Sequence, residues 1–198
     1  PEISNVGIIP IAADSVQFAQ YLESTPFIPV GHRRIIEQSA EIIDGSNGRL
    51  EASRALADWV YRYLEKRSTV GVPNALEVLD VGQGDCNEHT VLFVALARAA
   101  GIPTKTVAGM VFLPNPESAS ISETEPVDGA FFYHAWPEVY MGEVVGWLAV
   151  DPTLGQFPAN AMHLKVVEGG LDKQIEIMGM LGRVSLSVEQ TEELEEAL

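Results

Sequence analysis

Cysteine is nearly absent from this 198-residue chain, in which Cys86 stands alone. One thiol cannot close an intrachain disulfide, nor build a zinc site from several thiolates. Basic residues are also scarce, with 12 Lys and Arg against 28 Asp and Glu and a formal charge of -16. Nucleic acids and anionic bilayers gain their non-specific affinity from Lys and Arg contacts, so neither is expected as a partner. The acidity reads as a solvated, solubilising surface. Long apolar runs are missing too: none approaches the ~20 residues that a bilayer span needs, and no charged-then-apolar leader opens the chain. No membrane insertion of this segment is expected. Pro1 in place of methionine suggests a chain processed or cut from a longer protein.

What is present is a 46% hydrophobic composition in a length near that of one domain, enough to bury one core. Ile35, Ile36, Ile42 and Ile43 cluster at helical spacing over residues 33–43, before Asp44-Gly45 and Asn47-Gly48 break the pattern. Leu50, Leu56, Trp59, Val60, Tyr63 and Leu64 then share one side of a helical wheel, with Gly71 and Pro73 expected to end that amphipathic helix. After the turn Gly82-Gln83-Gly84, residues 86–100 read as a helix closed by Gly101 and Pro103. Its middle, Val91 to Ala97, is apolar all round, which predicts a helix buried on most sides with Cys86 at its N-terminal end.

Three β-branched and aromatic runs follow, at 104–113, 130–141 and 144–151, and predict antiparallel strands. Between the first two, residues 114–128 are rich in Pro, Ser and Glu and read as an exposed loop that could flap near a site. Residues 174–188 could add a strand or two, and residues 189–198 read as an acidic tail.

Chemistry concentrates at three positions. A helix N-terminus offers partial positive charge and free N–H groups to a thiolate, which predicts that Cys86 alkylates well below the ordinary thiol pKa of ~8.5. Those N–H groups could also hold an oxyanion, with Gln83 as candidate second donor. His134, inside the aromatic run Phe131 to Trp136, is the natural base, and Trp136 is close enough to line its cleft. Asp151 at the end of a strand, followed by Pro152, can accept a hydrogen bond from His134 and fix its tautomer. Glu88 and His89 do not complete a metal site with Cys86, since adjacent residues point to different helix faces. His32 and His163 show no partner in the sequence and receive no role.

Residues 84–90 (Gly-Asp-Cys-Asn-Glu-His-Thr) with 98–103 (Arg-Ala-Ala-Gly-Ile-Pro) resemble the cysteine motif of transglutaminase-like proteins. Tyr133-His134-Ala135-Trp136-Pro137-Glu138 resembles their histidine motif, and Trp147-Leu148-Ala149-Val150-Asp151-Pro152-Thr153 their aspartate motif. The resemblance implies an α+β, papain-like fold: a nucleophile-bearing buried helix packed on an antiparallel β-sheet, in a single domain over 1–198 with its core at about 21–166. It implies Cys86 as nucleophile, His134 as base and Asp151 as orienting acid, with no metal and no organic cofactor. One departure is Pro137 within the histidine strand, which predicts an edge position or a bulge.

The expected activity is cysteine-dependent acyl transfer through a thioester on an amide or peptide bond, by a peptidase, an amidase or a transamidating enzyme. The substrate would be a protein, peptide or peptidoglycan-like amide, in a bacterial cell-envelope or cytoplasmic setting. The alternative is a non-catalytic binding or assembly module that retains the fold.

Overall fold

A computed structural model describes residues 15–69, 74–115, 129–170 and 173. Its helices are α1 (Ser15–Phe18), α2 (Arg33–Ile43), α3 (Arg49–Tyr63), α4 (Ala75–Val81) and α5 (Cys86–Ala99). Its strands are β1 (Glu65–Lys66), β2 (Gln83–Gly84), β3 (Thr104–Pro114), β4 (Gly129–Tyr140), β5 (Trp147–Ala149) and β6 (His163–Glu168). The expectations for residues 116–128, 174–188 and 189–198 lie outside the described residues. Among the described residues, no helix is long and apolar enough to cross a membrane.

The architecture is α+β. Strands β3 to β6 form one antiparallel sheet in the order β5-β4-β3-β6. Every residue from Val91 to Ala97 is buried, because α5 is walled in by other elements. Ile35 of α2, Leu56 and Val60 of α3, and Val78 and Leu79 of α4 cover one side of the core, and Val139, Met141 and Val150 close the other. Side-chain hydrogen bonds fix the axial position of α5. Ser39 Oγ donates to the Leu96 carbonyl at 2.8 Å, and Thr90 Oγ1 donates to the Ala135 carbonyl of β4 at 3.1 Å.

The start of α5 is fixed locally. Asp85 Oδ1 accepts from the Asn87 N–H at 2.8 Å while Glu88 Oε2 accepts from the Asp85 N–H at 2.9 Å, a capping box that satisfies two otherwise orphaned donors. A Cβ on Gly84 would collide with the Glu88 side chain, so only glycine lets the box close. The approach to Cys86 is held from outside by a small parallel sheet in which Glu65 pairs with Gln83 and Lys66 with Gly84.

Three expectations change. Helix α3 ends at Tyr63, well before Gly71, because the chain turns there to pair β1 with β2, and α4 then intervenes. The third strand is short, as residues 143–145 form a turn ahead of Trp147. Pro137 is on neither an edge nor a bulge, since β4 runs between β3 and β5. Its carbonyl accepts from the Val150 N–H at 3.0 Å. N–H and C=O of one strand residue point the same way, so the missing N–H also faces β5, just past that strand's last residue, and the β3 side of β4 keeps its ladder.

Phe93 lies at 0% exposure in the middle of this arrangement. Phe93→Ala is expected to lower unfolding free energy by about 3–5 kcal/mol in urea titrations, as transfer and cavity terms add. An unchanged midpoint would contradict a fully enclosed α5.

Candidate active site

Cys86 occupies the first turn of α5, half-buried, with its side chain packed beside Tyr133 and Ala135 of β4. A cleft of about 310 Å³ exposes it. His134 shares that cleft, along with Asp85, Phe132, Tyr133, Thr153 and Leu154, and Lys66 and Arg67 stand at its rim. The sheet register explains the meeting: α5 crosses β4 at Ala135, one residue from His134.

Asp151 is fully buried, immediately beyond β5, and its two oxygens divide their partners. Oδ1 accepts from the backbone N–H groups of Thr153 and Leu154 at 2.8 and 2.9 Å, closing the turn after the strand. Oδ2 lies 2.7 Å from His134 Nε2 and 2.9 Å from His163 Nε2. Burial alone would raise this carboxyl, but the hydrogen bonds from His134 and His163 outweigh it and hold it well below the usual carboxylate range. An ionised carboxylate only accepts, so the His134 proton sits on Nε2 and a neutral ring leaves Nδ1 open as an acceptor.

The thiol departs from expectation. Burial pushes Cys86 up to about 12; a hydrogen bond from the Ala135 backbone works against this, and the charges of Asp85, Asp151 and Glu88 add to it. Asp85 itself is raised to about 6 by burial and by its hydrogen bond with Glu88. The cap that starts the helix therefore surrounds the sulfur with carboxylates that oppose the helix N-terminal field. These surroundings favour the thiol over the thiolate.

Other positions fall into place around this group. Gln83 sits on β2, three residues before Cys86, and is not among the residues lining the cleft. Trp136 is 1% exposed and lies behind His134 instead of lining the cleft, its ring stacked at a 6.0 Å centroid separation with a 22° interplanar angle. Glu88 serves the capping box and accepts from Thr69 Oγ1 at 2.6 Å. His89 is buried, its Nδ1 2.7 Å from the Asp85 carbonyl, and His32 caps α2. His163, given no role from sequence, is the residue that sequence reasoning missed. The alternation of His163-Leu164-Lys165-Val166 could have flagged a strand, but its pairing with β3, more than fifty residues earlier, has no local signature.

His134, Asp151 and His163 also present three ligand atoms within 4.8 Å of one another, the set that could hold a metal ion among the described residues. Both imidazoles already make short hydrogen bonds to Oδ2, so an ion would have to displace both N–H protons.

Comparisons place this geometry among known proteins. A family model described as the transglutaminase-like superfamily matches residues 36–152. A candidate cysteine protease from Cytophaga hutchinsonii superposes with a TM-score of 0.65 at 19% identity, over 84% of this chain and 51% of that one. The periplasmic domain of TgpA from Pseudomonas aeruginosa superposes with a TM-score of 0.52 at 22% identity, over 74% of this chain and 52% of that one. An uncharacterized protein of Haemophilus influenzae is 30% identical over 101 residues, 48% of this chain and 27% of that protein. The chain thus spans about half of each of those two solved chains and about a quarter of the Haemophilus protein. At these identities the two structures speak for the fold.

The Asp151 carboxyl is depressed in the folded state, so its stabilising contribution is complete above the unfolded value of ~3.9 and is lost as pH falls below it. Asp151→Asn, which strands two imidazoles against an amide, is expected to cost about 3 kcal/mol at pH 7. The gap in melting temperature between wild type and this variant should narrow between pH 5 and pH 2. A gap independent of pH would show that the charge of Asp151 contributes nothing to stability.

Proposed function

Because the chain belongs to the transglutaminase-like superfamily, and because Cys86 and His134 share one cleft while His134 is tied to a buried carboxylate, we propose that it is a cysteine-dependent acyl-group enzyme with Cys86, His134 and Asp151 as its catalytic triad. The hydrogen bond of 2.7 Å between His134 Nε2 and Asp151 Oδ2 carries this reading. It leaves the other ring nitrogen to take the thiol proton as the sulfur attacks an amide carbonyl.

In this reading proton loss and attack are coupled, as a thiol held near 12 requires. The C–S bond forms as the carbonyl π pair moves to oxygen, where N–H groups at the start of α5 stabilise it. The tetrahedral intermediate collapses to a thioester as the C–N bond breaks, and His134 returns its proton to the departing amine. Water or a second amine, deprotonated by His134, then attacks the thioester and releases the thiol. Water makes the enzyme a peptidase or amidase, and an amine makes it a transamidase. Trp136 backs the His134 ring and keeps water from its rear face.

The substrate in this proposal is a protein or peptide, or a peptidoglycan-like amide, whose acyl side carries apolar groups. Val111, Leu113, Phe132 and Leu154 supply apolar walls, and Phe132 is 52% exposed and so available for contact. A bacterial envelope setting is part of the same proposal, supported by the likeness in fold to a periplasmic domain.

The test is alkylation of Cys86 by an iodoacetamide probe in wild type and His134→Ala, followed by intact mass from pH 5 to 10. The expected result is labelling at pH 7 that falls by about 10²-fold in the variant and begins to rise only toward pH 10, as the raised thiol starts to ionise unaided. Equal rates in both proteins would falsify the assignment of His134 as base and redirect the search to partners that bind the fold without chemistry.

A further inference from the structure

The Asp151 carboxylate has a second imidazole on it, and a pairwise base–carboxylate arrangement does not require one. We propose that His163 is a positioning residue of this site, holding Asp151 Oδ2 and through it the orientation and tautomer of His134. The proposal deepens the triad reading and rests on it.

His163 comes from the opposite edge of the sheet, on β6, and its side chain is 3% exposed. Asp151 and Asn160 offer its ring only acceptors, so a neutral ring donates from one nitrogen, and Nε2 is the one that faces the carboxylate charge. Nε2 is 2.9 Å from Asp151 Oδ2, while Nδ1 is 3.2 Å from the Asn160 carbonyl and 3.2 Å from Asn160 Oδ1. That amide oxygen is itself fixed by accepting from the Met162 N–H at 3.1 Å. Trp136 meets the ring edge-on at a centroid separation of 5.0 Å while stacking on His134, so one indole packs against both imidazoles.

The backbone is arranged to bring His163 this close. Gly109 on β3 pairs with His134 on one side and with Lys165 on the other. A Cβ there would collide with the Leu164 carbonyl, so glycine alone lets β6 approach at the register shift beside Ala108. Ion pairs then hold β6 in register: Lys105 to Glu168 at 2.6 Å and Lys165 to Glu138 at 2.8 Å.

The consequence follows from counting donors. With His163 in place, Oδ2 is pinned between two N–H groups and Oδ1 between two more, so the carboxylate cannot rotate about its Cβ–Cγ bond without losing partners. Without the His163 donor, Oδ1 keeps its two backbone N–H groups, but Oδ2 loses the partner opposite His134, and its small in-place displacements are passed to the His134 ring alone. His163 does not line the cleft that holds Cys86, which separates it from the groups that would touch substrate.

The test compares His163→Gln, which keeps a side-chain N–H donor, with His163→Met, which keeps similar volume without one. Both are measured by Cys86 alkylation from pH 5 to 10, by melting temperature, and by 15N spectra of the histidine rings. In His163→Met, labelling at pH 7 should fall by about tenfold, its pH profile should shift toward that of His134→Ala, and His134 should become a mixture of tautomers. His163→Gln should return the rate to within about twofold of wild type. Equal rates in Gln, Met and wild type overturn the proposal, and so does an equal loss in Gln and Met, which would mean that only the shape of the imidazole matters. Should wild-type labelling prove indifferent to His134→Ala, the base assignment fails by itself. The ring spectra then decide the positioning role: a His134 tautomer altered by His163→Met but not by His163→Gln upholds it, and an unaltered spectrum overturns it.

Discussion

One buried carboxylate organises the functional half of this molecule. An ionised group with no solvent contact is costly unless every lone pair is used, and Asp151 meets that demand with two backbone N–H groups and two imidazoles. The four donors come from three parts of the chain: two from the turn after β5, one from the middle of β4 and one from the start of β6. The end of one strand, the lateral order of three others and the tautomer of His134 are therefore one constraint. Loosening any of them leaves a charge inside the protein without full compensation.

A second constraint acts at the other end of the site and pulls against the chemistry. Helix α5 is enclosed by apolar side chains along its length, so its start must be capped with care, and Asp85 and Glu88 do so through reciprocal hydrogen bonds. The same two carboxylates, with Asp151, stand near the sulfur and oppose its ionisation. The result is a cysteine whose own surroundings disfavour its ionisation. A freely ionised thiolate would react with any electrophile or oxidant at hand. In the proposed mechanism the proton leaves only toward His134, so the thiol reacts where a substrate has displaced water and aligned its carbonyl.

The sequence allowed some of this to be read and hid the rest for identifiable reasons. Helices α2 and α5 were visible because Ile35, Ile36, Ile42 and Ile43, and the unbroken run from Val91 to Ala97, carry local periodicity with Gly and Pro at their ends. Cys86, His134 and Asp151 stood out because each lies in a short motif with a distinctive local context. The edge position expected for Pro137 failed because a lost N–H is harmless wherever the neighbouring strand has already ended, and only the sheet order reveals that. The helix N-terminal field expected to favour the Cys86 thiolate is opposed by burial and by the capping carboxylates, which act at the same place. His163 was invisible because its partner is reached across two strands, through a close approach that depends on Gly109, and no spacing in the chain encodes that distance.

Net charge is a poor guide to what the cleft accepts. The chain carries -16 overall, yet Lys66 and Arg67 are the charged residues of β1 and the segment after it that stand at the cleft rim. Arg67 is paired with Glu65 at 3.0 Å, and Lys66 lies over the Tyr61 ring at 4.2 Å, so both are held in place there. Charges beyond a Debye length of ~8 Å are largely screened at physiological ionic strength, so the field that a bound segment meets is set by these neighbours and not by distant Glu and Asp. Val111, Leu113, Phe132 and Leu154 give the cleft apolar walls. In the proposed reaction, selection therefore rests on this apolar surface beside the scissile amide more than on the net charge of the chain.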